Sequence, residues 1–214
     1  SLPLPSTSQK RLFQYAFLLS LFTIAANLLE GTVSVYFGIS DDTLALLGFG
    51  IDSFIEVLSA VGIAHMILRI QRDPESPRGR FEVTALRVTG ASFYLLVAGL
   101  LISSAVNLIR GGRPETTLWG IVISLISISV MILLVALKLR VGRLLKSDPI
   151  IADAHCTRAC IYMSVVLLFS SLAYEWLGIG FLDILGALGI AWFAFNEGRE
   201  AFEKARGKDE CGCE

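Results

Sequence analysis

Asp52 and Glu56 stand four residues apart in GFGIDSFIEVLSA, and Cys156 and Cys160 stand four apart in ADAHCTRACIYMSV. On a helix that spacing puts each pair on one face, one turn apart. Two carboxyl groups and two thiols could close a roughly tetrahedral metal site. Zn²⁺ accepts such a mixed donor set, as do Cd²⁺ and other thiophilic cations, whereas Ca²⁺ and Mg²⁺ want oxygen shells. Either cysteine alone also reads as a small packing residue. Two carboxyls in so apolar a stretch are harder to explain by packing.

Other polar groups could assist. Asn27 and Glu30 lie in NLLEGTVSVYFG, where Glu30 could carry protons, add a ligand or make a structural polar contact. His155 falls about 100° round the helix from Cys156, off the shared face, and could line the cavity, support a ligand or be one. Asp153 is a further acid in the same stretch. Arg158 and Arg87 are candidate counter-charges, and Asp183 is placed to cap a helix start. Cys211 and Cys213 form a Cys-x-Cys in the acidic ending DECGCE, a weak signal for capture of a soft metal.

The elements that must position these groups are long apolar runs. The chain has 214 residues, 54% of them hydrophobic and 17% charged, and a mean hydropathy of +0.68. Six nearly uncharged runs, about 12–37, 43–68, 83–109, 115–137, 149–174 and 178–198, are each long enough to span a hydrocarbon core of ~30 Å. The expected fold is all-α, a six-helix bundle in a membrane with little outside it. Residues 1–11, rich in Pro and Ser, are expected to be disordered. Residues 12–200 form the membrane domain, and 201–214 a short cytoplasmic tail. Asp52 and Glu56 straddle the middle of the second run, and the two cysteines lie near the middle of the fifth. Because those helices are antiparallel, Asp52 should level with Cys160 and Glu56 with Cys156. An ionisable group at that depth costs roughly 2.5–3.5 kcal/mol on insertion scales and marks a functional site by default.

Fourteen of the eighteen basic residues fall beside alternate ends of the runs. They are Lys10 and Arg11; Arg69, Arg72, Arg78 and Arg80; Lys138, Arg140, Arg143 and Lys146; and Arg199, Lys204, Arg206 and Lys208. The positive-inside bias then puts both termini in the cytoplasm. These charges report orientation, and no nucleic-acid surface is expected. All four cysteines fall in the bilayer or on the reducing side, so no disulfide framework is expected.

The fifth run and its lead-in, LLKSDPIIADAHCTRACIYMS, resemble the fifth helix of cation diffusion facilitators, where Ala-Asp-Ala precedes a His-x-x-x-Asp metal pair. Aligned on Ala152-Asp153-Ala154, the family His falls on Cys156 and its Asp on Cys160. LLGFGIDSFIEVLSA resembles the family's second helix, whose paired metal ligands fall on Asp52 and Glu56. RGRFE and GFLDILGAL are similar to family segments in the third and sixth helices. The resemblance spans nearly the whole chain, and its strength lies in the order of the motifs. The change to a Cys/Cys pair means that the family's preference for Zn²⁺ does not carry over. The resemblance is to a form expected to lack the cytoplasmic metal-binding domain that usually follows the sixth helix. Homodimerisation, usual in the family, would then rest on the membrane helices.

The resemblance implies a secondary transporter, not an enzyme and without a resident cofactor. It would export a divalent soft or borderline cation (Zn, Cd, Hg or similar) by alternating access and proton antiport, from a multi-pass position in the inner membrane of a bacterial cell. Its metal ligands would be Asp52, Glu56, Cys156 and Cys160, with Glu30, Asn27, His155 and Asp153 as accessory or proton-coupling groups. Two other readings use the same cysteines: a membrane thiol oxidoreductase, for which four-residue spacing is poor geometry, and a metal-sensing membrane protein.

Overall fold

A computed structural model of the chain describes residues 7–40, 44–73, 78–110, 118–177 and 182–211. They form six helices: α1 Thr7–Ser40, α2 Leu44–Arg72, α3 Arg78–Arg110, α4 Leu118–Leu145, α5 Asp148–Leu177 and α6 Leu182–Cys211. There is no strand among the described residues. Among them, α1 to α4 each contain a segment long and apolar enough to cross a membrane by length and composition. At 30 residues each, α5 and α6 have the length, about 45 Å.

The bundle is polar within and oily without. Leu29, Tyr36, Ile102, Ile109, Leu133 and Trp192 are exposed, whereas Thr23, Asn27, Ser53, Ser59, Thr89 and Ser127 are buried. In water so much exposed apolar surface would drive association. In lipid it costs nothing, and the buried hydroxyls find partners inside the protein.

The tightest pairings are α1 with α2 and α3 with α6. Two glycines let α1 and α2 approach. A methyl group added to Gly31 would lie 3.0 Å from the Gly50 carbonyl oxygen, and one added to Gly50 would lie 3.0 Å from that of Gly31. Small residues at such crossings are the usual means of close packing in membranes. Gly50→Val forces the two backbones apart and is expected to cost about 1–3 kcal/mol, read as a lower thermal midpoint of the detergent-solubilised protein.

At the end of the bundle that carries the chain termini, an apolar cluster joins five helices through residues including Phe13, Ile63, Met66, Phe81, Val141 and Ile150. Arg78 ties the same end together. Its guanidinium bonds Glu82 at 2.7 Å and the Leu145 carbonyl at 2.8 Å, and lies over the Phe13 ring. The α4–α5 turn is a Schellman-type ending: Ser147 N–H donates to Gly142 O, Lys146 N–H to Arg143 O, and Lys146 takes the left-handed conformation at φ 50°. Pro149 then falls in the first turn of α5, where a missing N–H is harmless.

Both ends of the chain are more helical than expected from sequence. α1 begins at Thr7, inside the segment read as disordered, because Phe13 and Ala16 anchor its first turns in the cluster. α6 continues to Cys211 through the segment read as a tail. Ala201 and Ala205 are buried against Val83 and Leu86 of α3, and Lys204–Glu200 and Arg199–Glu203 pair one turn apart on the exposed side. Cys213 lies outside the described residues, as does the side chain of Cys211, and so does the side chain of Asp183.

Candidate functional site

Between α2 and α5 runs a ladder of three polar rungs. Asp52, Glu56 and Ser59 recur at i, i+4 and i+7 on α2, and Asp153, Thr157 and Cys160 recur at the same spacing on α5, so each set forms one stripe. The helices are antiparallel and the rungs match in order. Cys160 Sγ donates to Asp52 Oδ2 at 2.9 Å. The Thr157 hydroxyl donates to Glu56 Oε1. The Ser59 hydroxyl donates to Asp153 Oδ1 at 2.6 Å and lies 3.0 Å from Thr89 Oγ1 of α3. All seven residues are buried.

A lysine from α4 enters this ladder. Lys138 Nζ is 2.8 Å from Asp153 Oδ2 and 3.9 Å from Glu56 Oε1, and donates to Thr157 Oγ1 at 2.9 Å. Glu56 Oε2 is buried with no hydrogen-bond partner among the described residues. On the other side of α2, Glu30 of α1 accepts from Ser127 of α4 at 2.9 Å and from Ser53 at 3.4 Å. One turn away, the Asn27 amide donates to Thr23 O at 3.0 Å, and its Oδ1 is buried and unpartnered among the described residues.

A cavity of about 360 Å³ lies between α2, α3, α5 and α6 and reaches Asp52. Its walls include Phe49, Leu96, Met163 and Ile190, with Ser103, Ser104 and Asn107 from the last turns of α3. It occupies the half of the bundle opposite the termini. The other half holds the apolar cluster and the Arg78 contacts.

A family model described as the cation efflux transmembrane domain matches residues 20–206. The chain belongs to the cation efflux family. An uncharacterized transporter of Methanocaldococcus jannaschii is 28% identical over 183 residues, which cover 82% of this chain. The match spans 65% of that relative's length. As a cation efflux transmembrane domain the chain is a multi-pass integral membrane protein, and its family moves metal cations.

The structure brings Asp52 and Cys160 into direct contact, at the level expected. The second pairing is met in level but not in facing. Glu56 faces Thr157, whereas Cys156, at nearly the same height, lies about 100° round α5. There Cys156 joins the apolar cluster of Phe93, Leu96, Ala159 and Ile190. Among the described residues no three or more His, Cys, Asp or Glu side chains stand close enough to hold a metal ion together. The four donors are therefore not closed around one point in this conformer. Cys156 and Cys160 are both free thiols. His155 turns from the ladder to Glu197 of α6, 2.5 Å from its Oε2. Arg87 is exposed on α3.

The role considered for Arg158 belongs to Lys138. No ion pair joins Arg158 to these acids among the described residues, whereas Lys138, read as a loop charge beyond a helix ending at 137, is 2% exposed inside α4. A signal for this was present. Ser124, Ser127, Met131, Leu134, Lys138, Val141 and Leu145 alternate at three and four residues and are all buried, so Lys138 sits on the core stripe of a continuing helix. Thr157 and Ser59 also escaped the sequence reading, being uncharged hydroxyls that are common in membrane helices.

Proposed function

We propose that this cation efflux protein exports a divalent soft or borderline cation such as Zn²⁺ or Cd²⁺ from the cytoplasm, in exchange for protons, with Asp52, Glu56, Cys160 and Cys156 as its ligands. The observation that carries the reading is the Cys160–Asp52 contact, a thiol donating to a carboxylate inside the bundle beside a cavity. A cation that takes the place of that shared proton gains one sulfur and one oxygen donor at once. Tetrahedral bonding at Zn–S ≈ 2.3 Å and Zn–O ≈ 2.1 Å sets the donors about 3.6 Å apart. The 2.9 Å pair must therefore open by about 0.7 Å. Ligation needs the thiolate, so binding releases a proton, and affinity falls as pH falls. Re-protonation from the far side then weakens the site and expels the ion.

Positive-inside bias puts the packed, termini-bearing end in the cytoplasm, so the cavity side is the release side. Glu30, held between α1, α2 and α4, is suited to receive the exchanged proton, since its neighbour hydroxyls can donate to it in either state. The family resemblance adds a homodimer formed through membrane helices.

The test is flux of Zn²⁺ and Cd²⁺ into proteoliposomes across an imposed pH gradient. Acceleration by acid on the side that receives the metal is expected, and flux indifferent to the gradient rejects proton exchange. Glu30→Gln should keep metal affinity within about threefold but lose that acceleration, because the amide cannot take up a proton.

A further inference from the structure

The ladder contains one cation of its own. Lys138 is 2% exposed, in the middle of a bundle whose outer surface is lipid-facing, where an ammonium is tolerated only with good partners. Its partners are unequal. Asp153 holds Nζ at 2.8 Å, and Asp153 is itself braced by Ser59, which reaches Thr89. Glu56 stands at 3.9 Å, within range of charge but beyond a hydrogen bond, and leaves its second oxygen unpartnered among the described residues. The ammonium is thus moored to a fixed carboxylate on one side and faces a half-satisfied carboxylate on the other.

We propose that Lys138 is a tethered counter-cation of the transport site, a positioning residue that contests Glu56 with the metal. The proposal rests on the function proposed above. While a metal is bound, its charge repels the ammonium, which stays on Asp153. When the metal leaves, Lys138 covers the remaining distance to Glu56, so the unloaded protein keeps a cation between Glu56 and Asp153 while it reorients. A buried pair with a purely structural role would not require the ammonium to approach a second acid that is itself a ligand.

Four variants of the full chain, purified in detergent and titrated with Zn²⁺ by calorimetry, test this, with flux in proteoliposomes as the second readout. Lys138→Gln frees Glu56, so Zn²⁺ should bind about tenfold more tightly while maximal flux falls about tenfold. Lys138→Arg keeps the charge and should stay within about threefold of wild type in both. Asp153→Asn loosens the mooring, lets the ammonium settle on Glu56, and should weaken Zn²⁺ binding about tenfold. The opposite signs of the last substitution and the first are the signature, since loss of a merely structural pair moves both the same way. Zn²⁺ binding by Lys138→Gln that is no tighter than wild type overturns the proposal, as do shifts of equal sign. Should Lys138→Gln fail to fold, the neutral pair Lys138→Gln/Asp153→Asn decides: binding tighter than wild type supports the proposal, and equal or weaker binding overturns it. Wild-type protein that neither binds nor carries Zn²⁺ or Cd²⁺ removes the transport site itself. Wild-type binding with an unshifted lysine variant removes only the counter-cation.

Discussion

Asp52→Asn is expected to lower metal flux by about 100-fold or more while leaving the protein at least as stable as wild type. Loss of a group that merely supports a ligand costs about 10- to 100-fold, and Asp52 is proposed as a ligand in its own right. Asparagine keeps the shape and an acceptor oxygen for the Cys160 thiol, so the rung survives. It removes a buried charge whose desolvation is unfavourable. The two readouts, flux in proteoliposomes and the thermal midpoint in detergent, should therefore separate. Ser59→Ala is the control from the same ladder: it removes a hydroxyl that braces Asp153 without touching the ion, and flux should change by no more than about threefold. A large loss of stability in Asp52→Asn with a proportionate loss of flux would make Asp52 a structural residue and leave α2 without a demonstrated ligand.

Cys160→Ser is expected to lower Cd²⁺ affinity about 100-fold while Mn²⁺ affinity changes little, because a hydroxyl is a hard, weak donor and soft cations draw most of their binding from thiolate. Cys156→Ser should cost less, about tenfold, since Cys156 packs among Phe93, Leu96 and Ile190 in this conformer while Cys160 already touches Asp52. Ultraviolet charge-transfer absorption on Cd²⁺ addition measures both, as it counts thiolates on the ion. Equal losses at the two positions would mean that the loaded state differs from this one by bringing Cys156 fully inward. No loss at either would remove the thiols from the site.

Where the sequence sufficed, a single constraint dominated. A lipid-facing helix must be apolar for a whole span, so the six helices could be found from the runs alone. Asp52 and Glu56 stood out because such surroundings make carboxyl groups expensive. What eluded the sequence was azimuth. An i,i+4 pair names a face only for those two residues, and Cys156–Cys160 names a face tilted away from the one α5 gives to α2. The stripe Asp153–Thr157–Cys160 repeats the spacing of Asp52–Glu56–Ser59 and selects the true contact, but two of its six members are plain hydroxyls. Lys138 eluded it for a related reason. Ending α4 at its first charge treats charge as the boundary of the membrane, although the buried stripe continues to Leu145. The helical end of α6 was hidden by its charges, whose i,i+4 pairing supports a helix as readily as a solvated tail.

Thr157 and Cys156 are neighbours in the chain, so at the level of Glu56 an oxygen and a sulfur differ by one residue, about 1.5 Å of height and 100° of angle. A roll of α5 by about 100° around its own axis would swap one for the other opposite the same carboxylate. The chemical hardness presented to a passing ion would then be a property of the conformational state as much as of the residues. The protein could hold a thiophilic ion firmly in one orientation and loosely in another with the same side chains throughout.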